Sequence, residues 1–396
     1  MTDQPAARIP PPPFLDDPAL RAVLAAVPDA RLVGGCVRDA LAGRPVADID
    51  LATPRHPEAV MQALRAAGIR AVPTGLDHGT VTAVVDRRGF EITTLRRDEE
   101  TDGRHARVAY TDDWREDAAR RDFTINALSM TADGAVFDPF GGIADLAAGR
   151  VRFVGDATQR IAEDYLRILR FFRFHARYGR PPPDPEALAA IRASVGGILR
   201  LSAERVWSEL LRILAAPEPT GSVALMAEIG VLAAVLPEGA DPDRLARLIK
   251  AGAPAEPLLR LAALLTGDPE ALADRLKLST AERERLAALR APPVPAPGAT
   301  DADLRRLLAD TPADILIGRA WLAGGDGPDW AALRARLAAL PVPVFPLEGR
   351  DVLALGEPPG PRVGALLRQI RAWWLAGGCV ADGAACRAEL ARRIGG

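Results

Sequence analysis

The chain has 396 residues and a mass of 42.0 kDa, too much for one hydrophobic core, so two or more domains are expected. Its 50 basic residues are balanced by 52 acidic ones, which excludes a histone-like polycation, and no apolar run reaches the ~18 residues of a membrane span. The three cysteines, Cys36, Cys379 and Cys386, fall in no disulfide or metal-ligand spacing, so a cytoplasmic location in a reducing cytosol is expected.

In chain order, Ala30 to Val33 reads as a short buried strand running into Gly34-Gly35, with a short helix from Cys36 to Ala42 behind it. Ala47 to Leu51 alternates, Asp48 and Asp50 on one face and Ile49 and Leu51 on the other. A helix is predicted from Pro57 to Ala67, closed by Gly68. Thr80 to Val85 and Phe90 to Leu95 read as a hairpin joined by Asp86 to Gly89. The charged stretch Arg96 to Arg120, which holds Asp102-Gly103, reads as a mobile loop. From Val151 onward the pattern is helical, broken at Pro181 to Pro183, Pro292 to Pro297 and Pro341 to Pro346, with final helices near Val363 to Leu375 and Ala384 to Ile394. The fold class is therefore α+β, a mixed-sheet head followed by an all-α remainder.

The sharpest chemical feature is Ala47-Asp48-Ile49-Asp50-Leu51. Two carboxylates a few ångströms apart with no lysine nearby in sequence repel each other unless a cation lies between them, and oxygen ligands of this kind suit Mg²⁺. An exposed strand with its polar face in water has the same pattern. Upstream, Val33-Gly34-Gly35-Cys36-Val37-Arg38-Asp39 is strand, glycine pair and helix start, which lets backbone N–H groups and Arg38 approach a phosphate. Together the two segments describe a nucleotidyl-transfer site.

Gly34-Gly35-Cys-Val-Arg38-Asp39 and Asp48-Ile-Asp50-Leu, followed by Arg120-Arg121-Asp122-Phe-Thr-Ile-Asn126 and Glu163-Asp164-Tyr-Leu-Arg167-Ile-Leu-Arg170-Phe-Phe-Arg173, resemble the ordered motifs of the class II tRNA nucleotidyltransferases and bacterial poly(A) polymerases. Leu201-Ser-Ala-Glu-Arg205 and Gly349-Arg-Asp351 extend the resemblance over nearly the whole chain. It implies a polymerase-β-like nucleotidyltransferase head over 1–148, a base-recognising neck over 149–215, and a body over 216–340 and tail over 341–396 that bind tRNA. The resemblance gives Asp48 and Asp50 as Mg²⁺ ligands in a two-metal mechanism. It makes Glu91 the third head carboxylate, on a strand beside theirs and facing the same way. Gly34, Gly35, Arg38 and Arg121 would hold the triphosphate, while Asp122 and Asn126 would read the ribose; the last two also make good helix caps.

Read as one helix at ~100° per residue, Glu163 to Arg180 places Arg167, Arg170, Arg173, Arg177 and Arg180 within an arc of roughly 140°, with Asp164 and Arg167 as i, i+3 neighbours. Cytosine and adenine both carry an amine next to an acceptor nitrogen on the Watson–Crick edge; uracil and guanine do not. By the resemblance, Asp164 and Arg167 select CTP and ATP through that edge, and Arg170 and Arg173 steady the pair or reach phosphates.

Thr74-Gly-Leu-Asp-His78-Gly79-Thr80 has the wording of the tRNA enzymes rather than of the poly(A) polymerases, and the loop Arg97 to Val108 resembles the flexible loop of complete CCA-adding enzymes. The resemblance thus implies addition of CCA to the tRNA acceptor end. An A-adding enzyme or a poly(A) polymerase is the alternative, and a non-catalytic tRNA-binding protein a remote one. All four histidines (His56, His78, His105 and His175) lie at or before 175, so no histidine-built phosphohydrolase domain is expected.

Overall fold

The computed structural model describes residues 4–75, 79–101 and 106–395. The chain forms two compact units, Met1–Val235 and Leu236–Gly396.

The first unit is built on an eight-stranded mixed sheet. Its strands are β1 (Ala7–Arg8), β2 (Arg31–Val33), β3 (Asp50–Thr53), β4 (Arg70–Gly75), β5 (Thr80–Val85), β6 (Arg88–Thr94), β9 (Ser129–Met130) and β10 (Ala135–Phe137), in the order β1-β10-β9-β2-β3-β6-β5-β4. A separate ribbon joins β7 (Arg96–Thr101) to β8 (Ala106–Tyr110). Only β3 and β6 run parallel, with Asp50 opposite Glu91, the neighbouring arrangement expected for that carboxylate. Helices α2 (Gly35–Leu41) and α3 (Pro57–Ala66) follow the expected spans closely, and α1 (Pro18–Ala26) precedes them. Leu20 and Val23 of α1 and Val60 and Leu64 of α3 press on Leu32, Leu51, Val81 and Ile92 of the sheet in one buried cluster.

Three elements depart from expectation. The β5–β6 turn uses two residues rather than four: Asp86 and Arg87 take φ of 50° and 65°, the left-handed pair whose twist matches that of the flanking strands. Strand β4 was hidden by Pro73, which breaks a period-2 reading; it survives because β4 is the sheet's edge and its register shifts between Val72 and Gly75. The stretch expected to be a mobile loop forms the β7–β8 ribbon. A two-stranded ribbon can solvate its side chains on both faces, so its sequence carries no apolar alternation. Asp102, Gly103, Arg104 and His105 lie outside the described residues, as do Leu76, Asp77 and His78.

Helices α4 (Trp114–Ala119), α5 (Gly142–Ala148), α6 (Ala157–Glu163), α7 (Leu166–Tyr178), α8 (Pro185–Ser194), α9 (Ala203–Leu214), α10 (Thr220–Glu228) and α11 (Val231–Val235) complete this unit. Phe123 and Phe153 meet at 4.9 Å between ring centroids, and Phe171 and Phe174 of α7 pack on them, which fixes α7 beside the loop that carries Arg121 to Asn126. His175 accepts or donates a 2.7 Å bond to Ser222 of α10 and stacks on Phe171, and burial holds its imidazole below the ordinary value, so its work is packing.

The single helix read from Glu163 to Arg180 is broken in the structure. Asp164 is extended (φ −156°, ψ 105°), and its Oδ1 accepts from the Leu166 amide at 3.1 Å; a short acidic side chain here caps the next helix instead of continuing the last. Arg180 lies past the end of α7 and packs on Gly149.

Among the described residues the second unit holds ten α-helices, from Pro242–Lys250 to Gly383–Gly395. The proline-rich breaks separate Thr280–Arg290 from Asp301–Leu308 and Pro328–Ala339 from Gly349–Ala354. Leu304, Leu316, Leu333 and Leu337 form one buried cluster, and Leu366, Ile370, Trp374 and Leu390 another. No helix of the described residues is long and apolar enough to cross a membrane.

Candidate active site

Gly34 ends β2 with φ +68°, and a Cβ there would lie 2.8 Å from Nη1 of Arg121; only glycine combines that backbone with so close a guanidinium. The turn feeds α2, which carries Arg38. This arginine is 8% exposed. Its Nη1 donates to Oδ1 of Asn126 at 2.5 Å, and its Nε and Nη2 donate to the Asp39 carboxylate at 3.1 and 3.2 Å. The Tyr178 ring lies 4.5 Å beneath the guanidinium, and the Tyr178 hydroxyl donates to Asp39. Arg38 is therefore a charge held in one orientation before any ligand arrives.

Asp50 opens β3, whereas Asp48 sits before it in irregular backbone; the strict strand expected over Ala47 to Leu51 begins only at Asp50. Asp48 is exposed, and Asp50 reaches the surface at the cleft wall with its carboxyl partly shielded from water. Burial, Glu91 and Asp48 all push the Asp50 carboxyl above its ordinary value, against the pull of Arg121. Like-charged oxygens crowded in this way are relieved by a cation, so the donor set fits a hard divalent ion. Among the described residues no three histidines, cysteines or carboxylates gather closely enough to enclose a metal. Asp48 and Asp50 would thus supply only part of a coordination shell, leaving room for water and substrate oxygens.

Asp117, a residue the sequence reading passed over, anchors the arginines that follow it. It is 3% exposed and accepts from the Arg120 Nε at 2.9 Å, the Arg121 Nη2 at 3.4 Å and the Arg96 amide at 3.3 Å. Burial raises its pKa, but Arg120 and Arg121 outweigh that and hold it below the usual carboxylate value. Asp122 is buried likewise: Arg170 and Asn126 overcome the cost of burial, through bonds of 2.7 and 2.9 Å. Both folded values lie below the unfolded ones, so this stabilisation is present above the ordinary carboxylate range and is lost as pH falls through the depressed values. The signal for Asp117 was its i, i+3 and i, i+4 spacing to Arg120 and Arg121. Asp117→Ala is expected to raise the nucleotide KM about tenfold and to cost about 2 kcal/mol of stability, since it removes the carboxylate that pairs the half-buried Arg120 and Arg121. Steady-state kinetics and thermal melts check both; an unchanged KM would show that Asp117 serves folding only.

Around the α6–α7 break the Arg167 amide donates to the Asp164 carbonyl at 3.0 Å, but their side chains take separate partners. Asp164 Oδ2 accepts from Nη2 of Arg205 at 2.6 Å, and Arg167 Nη1 donates to Glu163 at 2.5 Å and to the Arg160 carbonyl at 2.7 Å. Arg170 pairs with Asp122, and Arg173 with Glu209 at 2.8 Å. Arg170 and Arg173, expected to steady the Asp164–Arg167 pair or to reach phosphates, tie α7 to the Asp122 loop and to α9. Arg205, Glu209 and Glu163 are the supporting residues missed. Arg205 was visible in its motif, but nothing local shows that it reaches 41 residues back.

These segments enclose a cleft of about 850 Å³. Gly34, Gly35, Arg38, Asp48, Asp50, Arg121, Asp122, Asn126, Asp164, Arg167, Arg170 and Arg173 all line it, and Glu91 does not. Nine arginines and five aspartates face it, a balance suited to a polyanion such as a triphosphate.

Residues 30–152 match the family described as the poly A polymerase head domain, and 183–241 match that described as a probable RNA and SrmB-binding site of polymerase A. The mitochondrial CCA tRNA nucleotidyltransferase 1 of Danio rerio is 37% identical over 366 residues, 87% of this chain and 83% of the relative. The chain belongs to the CCA tRNA nucleotidyltransferase and poly(A) polymerase family. The Homo sapiens member is also 37% identical, over 87% of this chain and 82% of its own. The Bacillus stearothermophilus CCA-adding enzyme, solved in complex with CTP, is 27% identical with a TM-score of 0.74, over 96% of this chain and 98% of that one. The family's α+β order, a mixed-sheet head before a helical remainder, is the order seen here.

Proposed function

We infer that this protein adds CCA to the 3′ end of tRNA from CTP and ATP, without a nucleic-acid template and with release of pyrophosphate. One observation carries the inference: Asp48 and Asp50, the Gly34-Gly35 turn, and Asp164 with Arg167 line one arginine-rich cleft, in a chain 37% identical to CCA tRNA nucleotidyltransferases.

The residues divide the work. Gly34 and Gly35 bring backbone to the triphosphate, and Arg38 and Arg121, pre-oriented by Asp39, Asn126 and Asp117, neutralise it as the tRNA 3′-hydroxyl attacks the α-phosphate and the α–β phosphoanhydride bond breaks, releasing pyrophosphate. Asp48 and Asp50 would hold Mg²⁺, which when bound lowers the pKa of the attacking hydroxyl and spreads phosphate charge. Glu91, opposite Asp50 but outside the cleft lining, adds negative potential behind that pair. Asp122 and Asn126 face the ribose. Asp164 accepts from the base amine while Arg167 donates to the neighbouring nitrogen. The neck over 149–215, and the body and tail after it, hold the acceptor arm by shape and phosphate contacts. The three buried, free cysteines suit a reducing compartment such as the cytosol.

Incubation with tRNA lacking its 3′ CCA, plus CTP, ATP or both, is expected to give C, C and A in turn on a sequencing gel. A alone on a preformed CC end, or a long A tail, would replace this reading by A addition or polyadenylation.

A further inference from the structure

The second unit holds a smaller cavity of about 230 Å³ whose lining is basic and aromatic. Arg244 and Arg247 stand one turn apart on the helix Pro242–Lys250 and face it. Its far wall is the last turn of Ala313–Ala323, where Trp321 carries the Arg334 guanidinium stacked 3.3 Å from its ring centroid. Arg334 is itself buried and spends a bond on the Gly325 carbonyl. No acidic residue lines the cavity.

A bland reading would have these arginines serve the exposed carbonyls of a helix end. Arg334 does so, but Arg244 and Arg247 have no side-chain bond to any carbonyl or carboxylate among the described residues. Arg290, fixed on the Leu265 and Gly267 carbonyls, is held below its ordinary pKa by burial and by Arg244, against the pull of Asp268. Arg244 and Arg247 therefore bring positive charge to the edge of a space with no acidic residue in its lining, large enough for a phosphate group and part of a sugar. A stacked Trp–Arg pair at its wall gives that space a rigid side.

We propose that this cavity binds a phosphodiester of the RNA substrate, with Arg244 and Arg247 as the contacting groups. The proposal rests on the tRNA reading above and assigns two of the contacts it requires, in a part of the chain beyond the matched RNA-binding segment 183–241. The chemistry recognised is a phosphate; its source is the RNA backbone rather than free phosphate.

The test is the affinity for tRNA lacking CCA, measured by fluorescence anisotropy across a range of salt, for the wild-type chain, for Arg247→Ala and for the Arg244→Ala/Arg247→Ala double variant. Each lost phosphate contact should flatten the log–log salt slope by roughly 0.7–0.9, so the double variant loses about twice what the single one does, while the KM for CTP stays unchanged. Arg247 is exposed, so the single variant leaves folding intact. Slopes and affinities equal to wild type would overturn the proposal. So would a variant that loses inorganic phosphate binding by ³¹P titration yet keeps its tRNA slope, which would assign the pocket to free phosphate. A wild-type chain with no affinity for tRNA would defeat the underlying tRNA reading, a result distinct from both.

Discussion

Asp48→Ala is expected to reduce nucleotide incorporation at least about a thousandfold, equivalent to about 4 kcal/mol of transition-state stabilisation, while leaving the fold untouched. The structure makes this substitution unusually clean. Asp48 lies outside β3, is exposed, and supports no helix cap or ion pair among the described residues. Its removal also lessens the crowding that raises the Asp50 carboxyl, so stability should stay within about 0.5 kcal/mol of wild type or rise slightly. Arg38, Arg121 and Asp117 keep their bonds, so CTP should still bind, more weakly. Activity lost with stability kept is the signature of a residue whose cost is carried for chemistry. Incorporation of labelled CTP into tRNA, nucleotide titration and a thermal melt check the three parts. Substantial incorporation would sink the assignment of Asp48 as a metal ligand. Asp50 is the less decisive position, because it also opens the strand that faces Glu91 and Cys36 donates to its carbonyl.

The elements that position this site were legible where one local rule decided them. Gly34 had to be glycine, Pro57 and Gly68 bracket α3, and the apolar residues of β2, β3 and β5 declare a buried sheet. What sequence alone did not give was set by partners distant in the chain. Nothing near Arg170 says that it pairs with Asp122, 48 residues away, or that Arg173 meets Glu209. The helical wheel drawn through Glu163 to Arg180 correctly placed the arginines of α7 together. It failed at Asp164, where side-chain capping of the next helix outcompeted continuation of the last. Pro73 hid β4, an edge strand that escapes the burial which writes a period of two, and the charges of β7 hid the ribbon. The candidate site residues came from motifs, whereas the bonds by which Asp117, Glu163, Arg205 and Glu209 brace them are seen only in the structure.

The break at Asp164 bears directly on the second large effect, the loss of base selection. Asp164→Ala is expected to lower the preference for CTP and ATP over UTP and GTP by about 1–3 kcal/mol, roughly 5- to 160-fold. Extended backbone turns the Asp164 carboxylate off the α7 face, and Arg205 and the Leu166 amide then hold it by one oxygen each. A carboxylate has about four acceptor sites, so two remain for a base amine. Arg167 spends only Nη1 on Glu163 and Arg160, which leaves Nε and Nη2 to donate to a ring nitrogen. In the proposed role, amine acceptor and ring-nitrogen donor would thus come from two residues braced by separate elements, α9 and α6. If Asp164 served only as a cap, its loss would slow all four nucleotides alike and leave their ratios unchanged. If it reads the base edge, kcat/KM should fall most for CTP and ATP and the four values should converge. Arg205→Ala separates the two further: it leaves the carboxylate in place but unbraced, so selectivity should weaken by less than in Asp164→Ala. Competition assays with paired nucleotides measure these ratios without depending on the absolute rate, and equal discrimination in wild type and Asp164→Ala would remove Asp164 from base recognition.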